Sequence, residues 1–200
     1  MGKYLKLSSI VLGIIALLAF KQQNSEKDFL GQAYLSNHYE ISIAQLAREK
    51  SNNDVINAYA ELLIDDHQKI IREFKDLAKG HKMKFVDGLG EDQKKHWDML
   101  NSTDSTHFNQ TFKELAIASH EQTIALFVRA YEDYAIQDIR LKNWISNRLP
   151  LLRAQLDQAR DLRVDPILNT AEGIPPHTRG GSIRSVDLDL DRVNVRVMVE

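Results

Sequence analysis

Two histidines occupy matched settings in this chain. His67 is followed by Ile71 and Phe74, at +4 and +7, and His120 is followed by Ile124 and Phe127 at the same offsets. Both lie on an apolar stripe of helical period, so two helices carry an imidazole at the same point along a buried face. Helix bundles build metal sites from histidines and carboxylates on facing helices, and neutral imidazole is a good ligand for first-row metals. The carboxylates within reach are Glu40 on the preceding helical segment, Asp66 beside His67 and Glu121 beside His120. Neighbours on a helix point about 100° apart, which makes Asp66 and Glu121 flanking groups. The candidate metal ligands are therefore His67, His120, Glu40 and Asp66, and iron, zinc or manganese are the ions considered. The plainer alternative is that each histidine is a core or boundary residue making one hydrogen bond across the bundle.

Ligand count favours that plainer alternative. A di-iron bundle site takes Glu-x-x-His on two helices plus two further glutamates, and Glu-x-x-His occurs nowhere here. Nor does His-Glu-x-x-His, a glycine-rich nucleotide loop or Gly-x-Ser-x-Gly. Ser119 precedes His120, but adjacent helical side chains diverge too far for a nucleophile and its base. With no cysteine in the chain, disulfide frameworks, thiol catalysis and lipid attachment through cysteine are ruled out. A net charge of -2 argues against a general basic field for nucleic acid. No catalytic residue is assigned, and the balance leans away from an enzyme.

The elements that must position these residues are helical. A length of 200 residues suits one core. Phe29 to Lys50 forms a first segment, broken at Ser51–Asp54, where Asn53 or Asp54 can cap the next helix. The second stripe is Ile56, Tyr59, Leu63, His67, Ile70, Phe74 and Leu77, stopping at Gly80. A short helix is expected over 91–100. Thr103 to Thr106 supply caps for a third long helix with the stripe Phe108, Phe112, Ala116, His120, Ile124, Phe127 and Tyr131. The fourth runs from Leu141 to Ala159, with a kink or break expected near Arg148 because Pro150 lies inside it. The fold class is all-α: a four-helix bundle over 27–162 with an additional short helix.

Both termini differ in character. Lys3 and Lys6 precede the apolar run Ile10–Phe20, the order of an export signal; Ala19-Phe20-Lys21 is a poor cleavage site. Residues 1–25 are expected to be a signal peptide or a short retained anchor, placing the protein in the periplasm or cell envelope. Residues 163–200 form a linker rich in proline and glycine, then the alternating stretches 186–191 and 193–197, which predict a single strand.

Taken together, Asp28-Phe29-Leu30, the stretch 38–78 around Glu40 and Asp66-His67, residues 108–127 around His120, and the Leu-Pro segment 149–159 resemble the DUF4142 family. The resemblance implies an exported ferritin-like bundle of unestablished biochemical role. It also implies a glutamate at Glu40 and an Asp-His pair at Asp66-His67. This chain has Ser119 where the family tends to an aspartate before the second histidine, and Gln155 where a histidine often stands.

Two functions compete. One is a non-enzymatic envelope protein that binds a protein partner, supports the envelope or serves a stress response. The other is a metal-binding or redox protein using Glu40, His67 and His120, which requires these three to converge. A third possibility is membrane association through the basic residues between Lys69 and Lys84. Asp65, Asp66, Glu73 and Asp76 interrupt that strip, so it reads better as a solvated face with paired charges.

Overall fold

The computed structural model describes residues 2–81, 83–85 and 87–164, with side chains from Ser25 onward. Five helices follow in order: α1 (Gly2–Lys50), α2 (Asp54–Gly80), α3 (Glu91–Ser102), α4 (Phe108–Glu132) and α5 (Ile139–Asp161). There is no strand among the described residues. The four long helices make a bundle, and α3 is the additional short one. The alternating stretches at 186–197 lie outside the described residues.

Short connections with strong caps set the antiparallel neighbours. Asn53 Oδ1 accepts from the backbone N–H of Val55 at 2.9 Å and of Ile56 at 3.2 Å, so the turn after α1 starts α2 directly. Asp138 does the same for α5, accepting from Arg140 at 2.8 Å and Leu141 at 3.4 Å. Helix α1 packs chiefly on α2 and also on α4, while α5 packs chiefly on α4.

Three details depart from the sequence reading. The first long helix does not start at Phe29: α1 runs unbroken from Gly2 through the apolar run into the bundle, because Lys21 to Asp28 contain neither glycine nor proline. Even so, no helix among the described residues is long and apolar enough to cross a membrane. Pro150 does not break α5, which is continuous from Ile139 to Asp161. The carbonyl it deprives of a partner belongs to Ser146, and both residues face solvent, where water can satisfy that group. Tyr131 leaves the buried stripe of α4, which turns instead through Ala130.

The core is divided. One apolar cluster gathers Ile43, Ala47, Ile56, Leu63, Leu100, Phe112 and Ala159. The other gathers Leu30, Tyr34, Ile70, Phe74, Phe127, Ile145 and Leu152. Burying such side chains contributes roughly 1.5–3 kcal/mol each, so either half holds its helices together. Between them every long helix places buried polar residues: Asn37 and Glu40 on α1, His67 on α2, Ser119, His120 and Thr123 on α4, and Gln155 on α5.

Candidate metal centre

Glu40, His67 and His120 converge in that polar layer. One donor atom from each lies within 4.8 Å of the others. The two imidazoles meet edge to face, with ring centroids 6.1 Å apart. Glu40 is 1%, His67 2% and His120 0% exposed, so bulk water does not solvate the carboxylate or either ring.

Outer hydrogen bonds fix which nitrogen of each ring carries a proton. His120 Nδ1 lies 2.8 Å from the carbonyl of Ala116, an acceptor only, so Nδ1–H donates there. His67 Nδ1 lies 2.7 Å from Asn37 Oδ1. The amide of Asn37 is held in that orientation by its own Nδ2 donating to Ala33 O at 2.8 Å, so His67 Nδ1–H is also a donor. Each neutral ring is therefore left with a buried Nε2 as its acceptor, the tautomer that suits a metal ligand.

Among the described residues, none satisfies those acceptors with good geometry. His67 Nε2, His120 Nε2 and both oxygens of Glu40 are buried without a well-directed hydrogen bond. His120 Nδ1 is 3.4 Å from Glu40 Oε1 but is committed to Ala116. The carboxyl of Glu40 is pushed above the usual carboxylate range by burial, against the opposing pull of His120 and the facing Ser119 hydroxyl. His67 is pushed down to about 3, first by burial and then by His120. Burial thus disfavours the protonated, charged form of His67 and the charged form of Glu40.

Asp66, the fourth candidate from the sequence, faces outward from the trio. Its carboxylate accepts from Lys69 Nζ at 3.1 Å and from Gln155 Nε2 at 3.3 Å. Glu121 is on the surface, 2.8 Å from Arg160. Sequence reasoning missed Asn37, the residue that orients His67. The signal was available: Asn37 is a polar residue one turn before Glu40, between Ala33 and Ile41 on an otherwise apolar face. It also dismissed Ser119, which has no role as a nucleophile here but faces Glu40.

No curated protein and no solved structure matches this chain. The family model of DUF4142, described as a domain of unknown function, matches residues 18–162, a span that includes Glu40, His67, His120 and Gln155. The chain belongs to the DUF4142 family.

Proposed function

We propose that this protein binds a single divalent transition-metal ion through Glu40, His67 and His120, in a helical bundle located in the cell envelope. The observation that carries the metal reading is the unmet acceptor set. One donor atom from each of Glu40, His67 and His120 lies within 4.8 Å of the others, and both Nε2 atoms and both Glu40 oxygens lack a well-directed hydrogen bond among the described residues, whereas buried polar groups normally find partners. In the metal-free protein the proton of a neutral Glu40 and the two protons of one water are enough to meet these atoms. A divalent cation is attracted to all of them.

The donor set also indicates what kind of ion. Two imidazoles and one carboxylate, with no sulfur ligand, suit zinc, iron or manganese rather than a soft ion. Bonds of about 2.0–2.2 Å ask the donors to draw in from their present spacing by roughly an ångström, a side-chain adjustment. With Asp66 and Glu121 engaged elsewhere, a single carboxylate serves the centre, too few for a bridged pair of metals. Three protein donors leave a coordination position open, as in reactive or transport sites, unlike closed four-ligand structural ones. The envelope location is supported by Lys3, Lys6 and the apolar run Ile10–Phe20.

The test is metal stoichiometry and affinity on the full chain, stripped with chelator and reloaded separately with Zn2+, Mn2+ and anaerobic Fe2+. The expected result is close to one ion per chain for at least one metal, lost in His67→Ala and in the near-isosteric Glu40→Gln with helical content unchanged. A folded wild-type chain that binds none of the three, or variants that bind as well as wild type, overturns the proposal and leaves the histidines structural.

A further inference from the structure

The end of the bundle formed by the α4–α5 turn carries a second, unrelated feature. Tyr134 is 94%, Ile139 67% and Tyr131 46% exposed, three large side chains within nine residues of sequence. An isolated exposed apolar residue needs no explanation, but a cluster on one end does. The turn is held firmly in place. Glu26 Oε1 on α1 accepts from the backbone N–H of Gln137 and of Asp138, both at 3.1 Å. His81, just after α2, lies 3.4 Å from Glu26 and 3.6 Å from Asp138.

That anchorage also fixes where α1 passes the turn. From Glu26 the helix continues outward without a break, and at 1.5 Å per residue Phe20 comes about 9 Å beyond it. The apolar run Ile10–Phe20 therefore leaves the bundle at the same end that presents Tyr134 and Ile139. The other exposed large hydrophobics, Val55, Leu62 and Met99, lie on α2 and α3, away from this exit.

We propose that this end of the bundle faces a lipid surface, with the apolar run of α1 inserted and Tyr134 and Ile139 seated at the headgroup boundary. Tyrosine belongs at that depth because its ring is apolar and its hydroxyl stays wet. The unbroken α1 carries the run beyond the end of the bundle along its own axis, and a second attachment beside it makes the binding of a helix too short to span stable. Arg140 and Lys79, both well exposed, sit at the rim, but each is close to an acidic partner, Asp138 and Asp76. The contact is therefore apolar in origin, with little dependence on salt. It does not depend on the metal centre and is tested separately from it.

The absence of cysteine makes the experiment clean, since one introduced thiol is the only labelling site. A nitroxide is attached to Tyr134→Cys or to Met99→Cys in the full chain. Its access to oxygen and to a water-soluble nickel chelate is then measured with and without vesicles of phosphatidylethanolamine and phosphatidylglycerol. The expected result is that the label at position 134 gains oxygen access and loses nickel access on vesicles, while the label at 99 keeps its aqueous values. Tyr134→Ser combined with Ile139→Ser is expected to weaken vesicle binding about tenfold, the equivalent of removing one to two kcal/mol of apolar burial. A chain that floats with vesicles while position 134 remains aqueous overturns the proposal, because the apolar run then binds alone. Equal shifts at 134 and 99 overturn it too. So does protection of 134 that depends on protein concentration without lipid, which would mean that a second copy covers it.

Discussion

Two groups of histidine and carboxylate among the described residues differ in what meets their acids, although His81 Nε2, like the Nε2 atoms of His67 and His120, lacks a hydrogen-bond partner. At the end of the bundle, His81 stands between Glu26 and Asp138, and the acids themselves receive backbone donors: Gln137 and Asp138 N–H for Glu26, Arg140 and Leu141 N–H for Asp138. In the middle, His67 and His120 spend their Nδ1 protons on Asn37 and Ala116, and both Nε2 atoms and the Glu40 oxygens are left without a well-directed hydrogen bond. The first is a clamp that fastens α1 and the end of α2 to the α4–α5 turn. The second is the centre proposed to receive a cation. Proximity of histidine to acid does not separate the two cases. The supply of donors does.

The sharpest way to break this comparison is to make the same substitution at both glutamates. Glu26→Leu strands two backbone N–H groups and is expected to cost about 2–6 kcal/mol of stability, at 1–3 kcal/mol per orphaned buried group. Glu40→Leu, measured by urea unfolding in chelator, is expected to stabilise the metal-free protein by about 1–2 kcal/mol, because a poorly partnered buried carboxyl is replaced by an apolar group. Losses of similar size at both positions would erase the distinction.

A smaller effect sharpens it from the side of orientation. Asn37→Leu leaves the three ligands in place but frees His67 to rotate and to change tautomer. Metal affinity is expected to fall 10–100-fold, as it does for partners outside the coordination shell, while the metal-free unfolding midpoint moves little. Competition with a chromophoric chelator measures it. An unchanged affinity would mean that the Asn37–His67 bond has no bearing on ligation.

The smallest effect is graded with pH. Burial raises the carboxyl of Glu40, so in the metal-free protein a proton occupies it at pH values where an exposed glutamate is already charged. Binding must displace that proton. Affinity is expected to rise about tenfold per pH unit up to the folded-state value of Glu40 and to flatten above it. A flat profile across the acidic range would argue that Glu40 is not a ligand.

Much of the scaffold was legible in the sequence because each signal is local. The stripe of α2 from Ile56 to Phe74 is periodic, and Asn53 announces its cap. The echo of His67 and His120 correctly placed two rings at one depth. The orientation of His67 was harder to read, because Asn37 is one polar interruption of an apolar face whose partner becomes evident only when α1 and α2 are brought together. That Pro150 does not break α5 was hidden for a related reason: a proline's consequence depends on whether the orphaned carbonyl meets water, and one-dimensional sequence does not say which face Ser146 occupies.

The polar layer also fixes how the helices are allowed to slide. Apolar stripes are forgiving: moving α4 by one turn, about 5.4 Å, sets phenylalanine and alanine against other apolar neighbours at modest cost. The same slip would carry His120 away from Glu40 and bury each of them among hydrocarbon. The layer works as a registration mark, admitting one alignment of the four long helices and penalising its neighbours. Replacing the layer wholesale with leucine is therefore expected to leave a stable bundle that no longer holds a single register, the outcome when polar residues that specify alignment are removed from helical cores.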